Sequence, residues 1–217
     1  MTDRRQRYRE QTRDEAKQVA LRQLAESGTG GLSLNAIARE IGMSGPALYR
    51  YFANRDELLT ALVSDGFTAI AEALESAADR GDRPDQRLRA VLHAFRTWAL
   101  AEPHWYQLLF GTPVPGYRAP AGTIAAAARM FTAVLGAIAA VAAERGTPAP
   151  PPTPLDAQLG SWYADPAAPP HLVRATVVAW SRLHGVLSLE LQQAFGPMEF
   201  DVSLLYEAEV DAILAGI

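Results

Sequence analysis

The sequence contains no cysteine. Disulfides, thiolate metal sites and cysteine nucleophiles are therefore excluded, while the compartment is left open. Histidine is scarce, and His93, His104, His171 and His184 are dispersed without metal-ligand spacing. A Glu-x-x-His pair, a His-Glu-x-x-His run, a glycine-rich phosphate loop and a Gly-x-Ser-x-Gly elbow are all missing, so neither an enzyme nor a metal or cofactor site is expected. Behind the opening Met1–Arg5 there is no apolar run, which speaks against a signal peptide. The uncharged stretch 130–143, bounded by Arg129 and Glu144, is too short to span a bilayer. A soluble, cytoplasmic protein without membrane contact is expected. Alternating apolar and polar runs bounded by turn residues are also missing, which leaves no candidate strand.

What is present is a chain of 217 residues, 49% hydrophobic and 20% charged, enough to bury a sizeable core. The formal net charge of −4 argues against a general nucleic-acid binder, but the charge is unevenly placed. Residues 1–60 hold ten Lys/Arg against eight Asp/Glu, whereas 61–217 hold ten against sixteen. Near the start, Arg4, Arg5, Arg7, Arg9 and Arg13 face only Asp3 and Glu10, a basic arm on a mildly acidic body.

Hydrophobic spacing gives an all-α chain of about nine helices. The first spans 8–27, with Ala16, Val19, Ala20 and Leu24 at helical spacing, and Gly28, Gly30 and Gly31 end it. Ser33 caps a short second helix whose stripe is Leu34, Ile37, Ala38 and Ile41, stopped by Gly42. Ser44 opens a third, over 44–52, with Pro46 in its first turn, where a missing N–H costs little. Asn54-Arg-Asp-Glu57 has the form of a capping box and starts a fourth helix that reaches Arg80. Further helices follow over 84–101, 103–110 and 122–145, the last alanine-rich, apolar on nearly all sides and expected to be buried. Residues 147–154 hold five prolines and read as a linker. The last two helices, the eighth and ninth, span 171–195 and 202–215. The charge change divides the chain into a small module, 1–60, and a larger helical domain, 61–217.

The third helix is the informative one. At about 100° per residue, Ala47, Leu48, Tyr51 and Phe52 fall on one apolar arc about 140° wide, fit for the core. Pro46, Tyr49 and Arg50 fall on the opposite arc, about 100° wide, with a phenol, a guanidinium and a compact ring to offer phosphates, base edges and thymine methyls. Two short helices joined by Gly42 and Met43 behind a longer one form a helix-turn-helix pattern.

Residues 32–52, LSLNAIAREIGMSGPALYRYF, followed by Asn54-Arg-Asp-Glu-Leu-Leu59, resemble the DNA-binding domain of the TetR family of transcriptional regulators over roughly residues 12–60. The resemblance implies a homodimeric repressor that binds double-stranded DNA and leaves it when a small effector binds the C-terminal domain. It implies phosphate contacts for Ser33, Ser44, Tyr49 and Arg55, and base edges for Gly45, Pro46 and Arg50. Arg4, Arg5 and Arg7 would reach the adjacent minor groove or backbone. Arg55 stands where lysine is common in the family, and Gly45 offers no side chain, so DNA shape is expected to share in the readout.

In the C-terminal half, Trp180-Ser-Arg-Leu-His184-Gly185 and Pro103-His-Trp-Tyr-Gln-Leu-Leu-Phe-Gly111 resemble one C-terminal subfamily of these regulators. The resemblance implies dimerisation through the eighth and ninth helices. Candidate effector-pocket residues are the aromatic or polar groups within apolar helices: Phe95, Trp98, Trp105, Tyr106, Phe110, Met130, Phe131, Trp162, Trp180 and His184. Their character points to a hydrophobic or aromatic effector.

Overall fold

The computed structural model describes residues 2–28, 31–114, 116–163, 165 and 167–217, apart from the side chains of residues 2, 3 and 5. Ten helices and no strand occur among them: α1 (Thr2–Ser27), α2 (Leu34–Glu40), α3 (Gly45–Leu48), α4 (Arg55–Ala78), α5 (Pro84–Ala101), α6 (Pro103–Phe110), α7 (Ala121–Arg145), α8 (Pro154–Trp162), α9 (Pro170–Leu191) and α10 (Val202–Ala215). The all-α expectation holds. The chain forms two compact units, one of residues 1–67 with 102–124, the other of 68–101 with 125–217.

In the first unit α1 packs on α2 and α6, and α2 on α3. The core is Ala16, Val19, Ala20, Ile37, Ala38, Leu48, Phe52, Leu58, Leu59 and Leu62, all but closed to solvent. It is the set that the i, i+3, i+4 spacing singles out on each helix. Gly28, at φ +62°, ends α1, while Gly30 lies outside the described residues. Ser33 Oγ accepts from Ala36 N (3.3 Å) to cap α2. Asn54 Oδ1 accepts from Glu57 N (2.8 Å), and Glu57 Oε2 in turn accepts from Ala53 N (2.7 Å), so the start of α4 is held from both sides. On α6, Trp105 lies against Gly66 of α4, and Phe110 makes an edge contact with Phe67 at 5.9 Å. Thr60 and Tyr117 share a hydroxyl hydrogen bond of 3.1 Å.

In the second unit α9 packs against α5, α8 and α10, and α10 against α5. Polar ties set the register of these apolar faces. Arg96 holds Glu190 through two hydrogen bonds, at 3.0 and 2.5 Å, and Arg89 pairs with Glu207 and Asp211. Tyr206, fully buried, donates to Leu92 O at 2.6 Å. Arg129 pairs with Glu75, and Arg145 donates to Leu214 O.

Four expectations change. α1 begins at Thr2, so Arg4 and Arg7 stand on helical turns rather than in a loose arm. α8 is an addition, because the proline run disguises its start. Thr153 and Asp156 form a capping box there, and Pro154 occupies the first helical position, where proline is tolerated. The helix expected over 171–195 stops at Leu191, and Gln193 takes φ +58°. α7 is not buried all round: Ile124 is 64% exposed, and less than a third of its most apolar stretch is buried. Alanine explains this, since a methyl group loses little by facing water and alanine needs no packing to stay helical. α7 is also the one helix among the described residues with the length and composition to cross a membrane.

Two measurements follow. A methyl group on Gly66 would sit 2.7 Å from Trp105 Cε3 and 3.2 Å from Leu109 Cδ1, so the indole must shift. Gly66→Ala is expected to cost about 1–3 kcal/mol in chemical denaturation. The second concerns Asp156, which accepts from Thr153 N, from Thr153 Oγ1 and, at 2.7 Å, from Arg174 Nε. The Thr153 hydroxyl first, then Arg174, hold its carboxyl at about 2, below the ordinary 3.8. A depressed folded-state value stabilises the fold fully above 3.8, and that contribution is lost as pH falls through about 2. Asp156→Asn should flatten the pH dependence of thermal unfolding in that window.

Candidate nucleic-acid interface and inner cavity

The turn between α2 and α3 depends on Gly42, whose φ of +71° lies in the left-handed region that side chains resist. It lets Met43 N donate back to Ala38 O at 2.8 Å. Pro46 starts α3. Beyond Leu48 the segment tightens rather than ends. Arg50 N donates to Ala47 O (3.2 Å) and Tyr51 N to Leu48 O (2.8 Å), so helical turns continue to Phe52. The regular helix is thus shorter than the 44–52 expected, but its two faces are as the spacing implies.

Leu48 and Phe52 are fully buried and Tyr51 is half-buried, whereas Ser44, Pro46, Tyr49 and Arg50 are exposed, Tyr49 by 46%. Two buried anchors four residues apart fix the rotation of the segment and turn the phenol and guanidinium outward. Gly45 lies where α2 and α3 approach: a methyl group on it would come 2.6 Å from Asn35 Oδ1. Ser33 is exposed at the head of α2, and Arg55 is half-buried as the first residue of α4. Arg4 and Arg7 are exposed on α1 of the same unit, while the side chain of Arg5 lies outside the described residues. The ion pairs Arg22–Glu40 and Lys17–Asp65 (both 2.7 Å) brace α1 against α2 and α4, and Lys17 also pairs with Asp14 one turn earlier on α1 (2.7 Å).

The second unit encloses an apolar cavity of about 30 Å³. Of the pocket candidates, Phe95, Met130, Phe131 and Trp180 line it. Trp98 is buried on α5 away from the lining, and Trp105, Tyr106 and Phe110 belong to α6 in the other unit. Trp162 is 63% exposed and meets Phe131 edge-on at 5.4 Å. His184 stacks on Trp180 with ring centres 5.1 Å apart, and burial pushes its pKa below the ordinary 6.5. Sequence reading missed Thr176, Leu74 and Leu183, which also line the cavity. Thr176 was readable as a hydroxyl within an apolar stripe, whereas the two leucines are indistinguishable from core. Thr176 Oγ1 donates to Leu172 O at 2.8 Å, so the single lining hydroxyl already has a partner.

A short helix, a glycine turn and a second short segment with its polar side outward, joined in one chain to a helical unit around an apolar cavity, define a helix-turn-helix DNA-binding regulator. Comparison with known proteins identifies which kind. Residues 18–62 match the family described as bacterial regulatory proteins, tetR family, and residues 88–213 match the tetracyclin repressor-like, C-terminal domain. The chain belongs to the TetR family of transcriptional regulators, whose members are in general cytoplasmic and not enzymes. The HTH-type transcriptional regulator Rv1816 of Mycobacterium tuberculosis H37Rv is 34% identical over 216 residues, covering 95% of this chain and 92% of that protein. The crystal structure of the regulatory protein SCO4313 is 45% identical, covers 97% of this chain and 98% of that one, and superposes with a TM-score of 0.84. The TetR family regulator PfmR from Thermus thermophilus, 19% identical with a TM-score of 0.61 over 94% of this chain and 97% of its own, shares the fold.

The two faces of the recognition segment separate cleanly by mutation. Leu48→Ala should cost about 2–5 kcal/mol of stability. Tyr49→Ala should stay within about 0.5 kcal/mol of the parent in the same denaturant titration.

Proposed function

We propose that the protein is a dimeric transcriptional repressor that binds a pseudo-palindromic operator and is released by a small hydrophobic or aromatic effector. The observation that carries this reading is the outward Tyr49–Arg50 face set opposite the buried Leu48 and Phe52. In this reading Ser33, Ser44, Tyr49 and Arg55 bind phosphates, and Gly45, Pro46 and Arg50 meet base edges in the major groove. Arg4, Arg5 and Arg7, on the first turns of α1, approach the neighbouring backbone or minor groove. Residues 1–60 serve DNA and 61–217 serve effector and partner.

Dimerisation through α9 and α10 is supported by what they leave uncovered. Val178 and Leu189 on α9 are exposed beside the bare Gly185, and on α10 Leu204 is 69% exposed. A two-fold pair buries these groups and presents two recognition segments to half-sites about one helical turn, or a multiple of it, apart. The effector site is the cavity lined by Phe95, Met130, Phe131 and Trp180. Its lining favours an uncharged, flat molecule, since the one hydroxyl is already engaged. RolR, of the same fold at 18% identity and a TM-score of 0.57, was solved with resorcinol. Because α4 contributes residues to both units, an effector that prefers one packing of its second half acts on the first half through continuous helix.

One observation favours a second reading. A cavity of about 30 Å³ is room for about one water molecule. A regulator without a small ligand, governed by a protein partner or acting as an activator, needs no larger space. Fluorescence titration against duplexes from upstream of its own gene tests the main reading. Binding should be sequence-selective and weaken steeply with salt, as released counterions require. Tyr49→Ala or Arg50→Ala should weaken it by about 1–3 kcal/mol while leaving the melting temperature near that of the parent. Binding that ignores sequence, or survives both substitutions, contradicts the reading.

A further inference from the structure

The end of the recognition segment is held from α1 by two arginines. Arg13, on α1, donates from Nη1 to the carbonyl oxygen of Tyr51 at 2.7 Å, across 38 residues of chain. Its guanidinium carbon also lies 4.4 Å from the centre of the Phe52 ring, which is fully buried. One turn earlier on the same helix, Arg9 stands 5.9 Å from the centre of the Tyr51 ring. Two successive turns of α1 therefore hold two successive residues of the segment, one by a charged hydrogen bond to the main chain and both by cation–ring contact. Tyr51 follows directly on Tyr49 and Arg50, the exposed pair. The same stretch of α1 carries Arg4 and Arg7 and is braced onto α4 by the Lys17–Asp65 pair.

We infer that Arg13 is a positioning residue for DNA recognition: it locks the basic first turns of α1 to the end of the recognition segment, so that both are presented as one rigid surface. The role rests on the family's DNA binding and on α3 as the reading segment, and assigns Arg13 no contact of its own with the duplex. It requires arginine, because one planar group both donates in its plane and stacks through its face. Lysine keeps the charge and a donor but loses the stack.

The consequence is a loss of discrimination rather than of attraction. With the full-length protein, the probes are the duplex it selects from a random pool and a scrambled duplex of equal length, each titrated at several salt concentrations. Arg13→Ala should lower affinity for the selected duplex by about tenfold or more and for the scrambled one by about threefold or less, with the salt slope unchanged. Arg13→Lys should fall between parent and alanine. In amide hydrogen exchange without DNA, residues 4–13 and 49–53 should lose protection together in Arg13→Ala. An equal loss on both duplexes, with a salt slope smaller by about one, would make Arg13 a phosphate ligand and overturn the inference. Unchanged exchange, or parental affinity for the selected duplex in Arg13→Ala, overturns it as well. The exchange measurement contains no DNA, so its failure is distinct from a failure of α3 as the reading segment.

Discussion

The burial of Leu48 and Phe52 is the constraint on which the functional surface depends. A segment barely two turns long has little intrinsic preference for any orientation, and isolated helices of that length are unstable in water. Its rotation is decided by which side chains find the core. With both anchors closed off among Ile37, Ala38, Leu58 and Leu59, the outward direction of Tyr49 and Arg50 follows from geometry alone. The turn at Gly42, the packing at Gly45 and the caps at Ser33 and Asn54 all serve to bring those two anchors to the same core. The direction of the exposed face is thus an outcome of hydrophobic burial beneath it.

The second unit follows a different logic. Its helices are apolar over wide arcs, and such faces pack in many registers. Directional ties choose among them: Arg96 with Glu190 and Tyr206 with the Leu92 carbonyl join elements distant in sequence, and Arg174 with Asp156 joins the consecutive α8 and α9. What these ties leave inside is small, with the engaged hydroxyl of Thr176 in an otherwise apolar lining. Phe131 belongs both to the cavity wall and to a ring cluster with Trp162 and Tyr163.

The first unit was largely legible in the sequence because its residues bear contrasting chemistry at short spacing. Leu48 beside Tyr49, Gly42 after Ile41 and Ser33 before Leu34 each state a direction or an end. The second unit was less so. Thr153 and Asp156 announced α8, but the surrounding prolines outweighed them. Alanine gave no direction to α7, since it is at home on either side of a helix. Among the aromatic candidates, Trp105 and Phe95 look alike in sequence, yet one packs on Gly66 in the first unit and the other faces the cavity of the second. Only the path of the chain separates them. Arg13 shows the same limit: counted among five N-terminal arginines, it is set apart only by a partner 38 residues away.

The left-handed turn at Gly42 makes the recognition surface fragile in an unobvious way. Apart from its chain neighbours, no atom lies within 4 Å of where a side chain would begin there, so by volume the position looks permissive. The backbone angle refuses what the space allows. A replacement either carries the strain of the left-handed angle or unwinds the turn, and unwinding breaks the Met43–Ala38 hydrogen bond and disturbs the seating of Leu48 and Phe52 that aims the phenol and guanidinium. The cost of such a change falls on the aim of that face, at a position where volume alone predicts none.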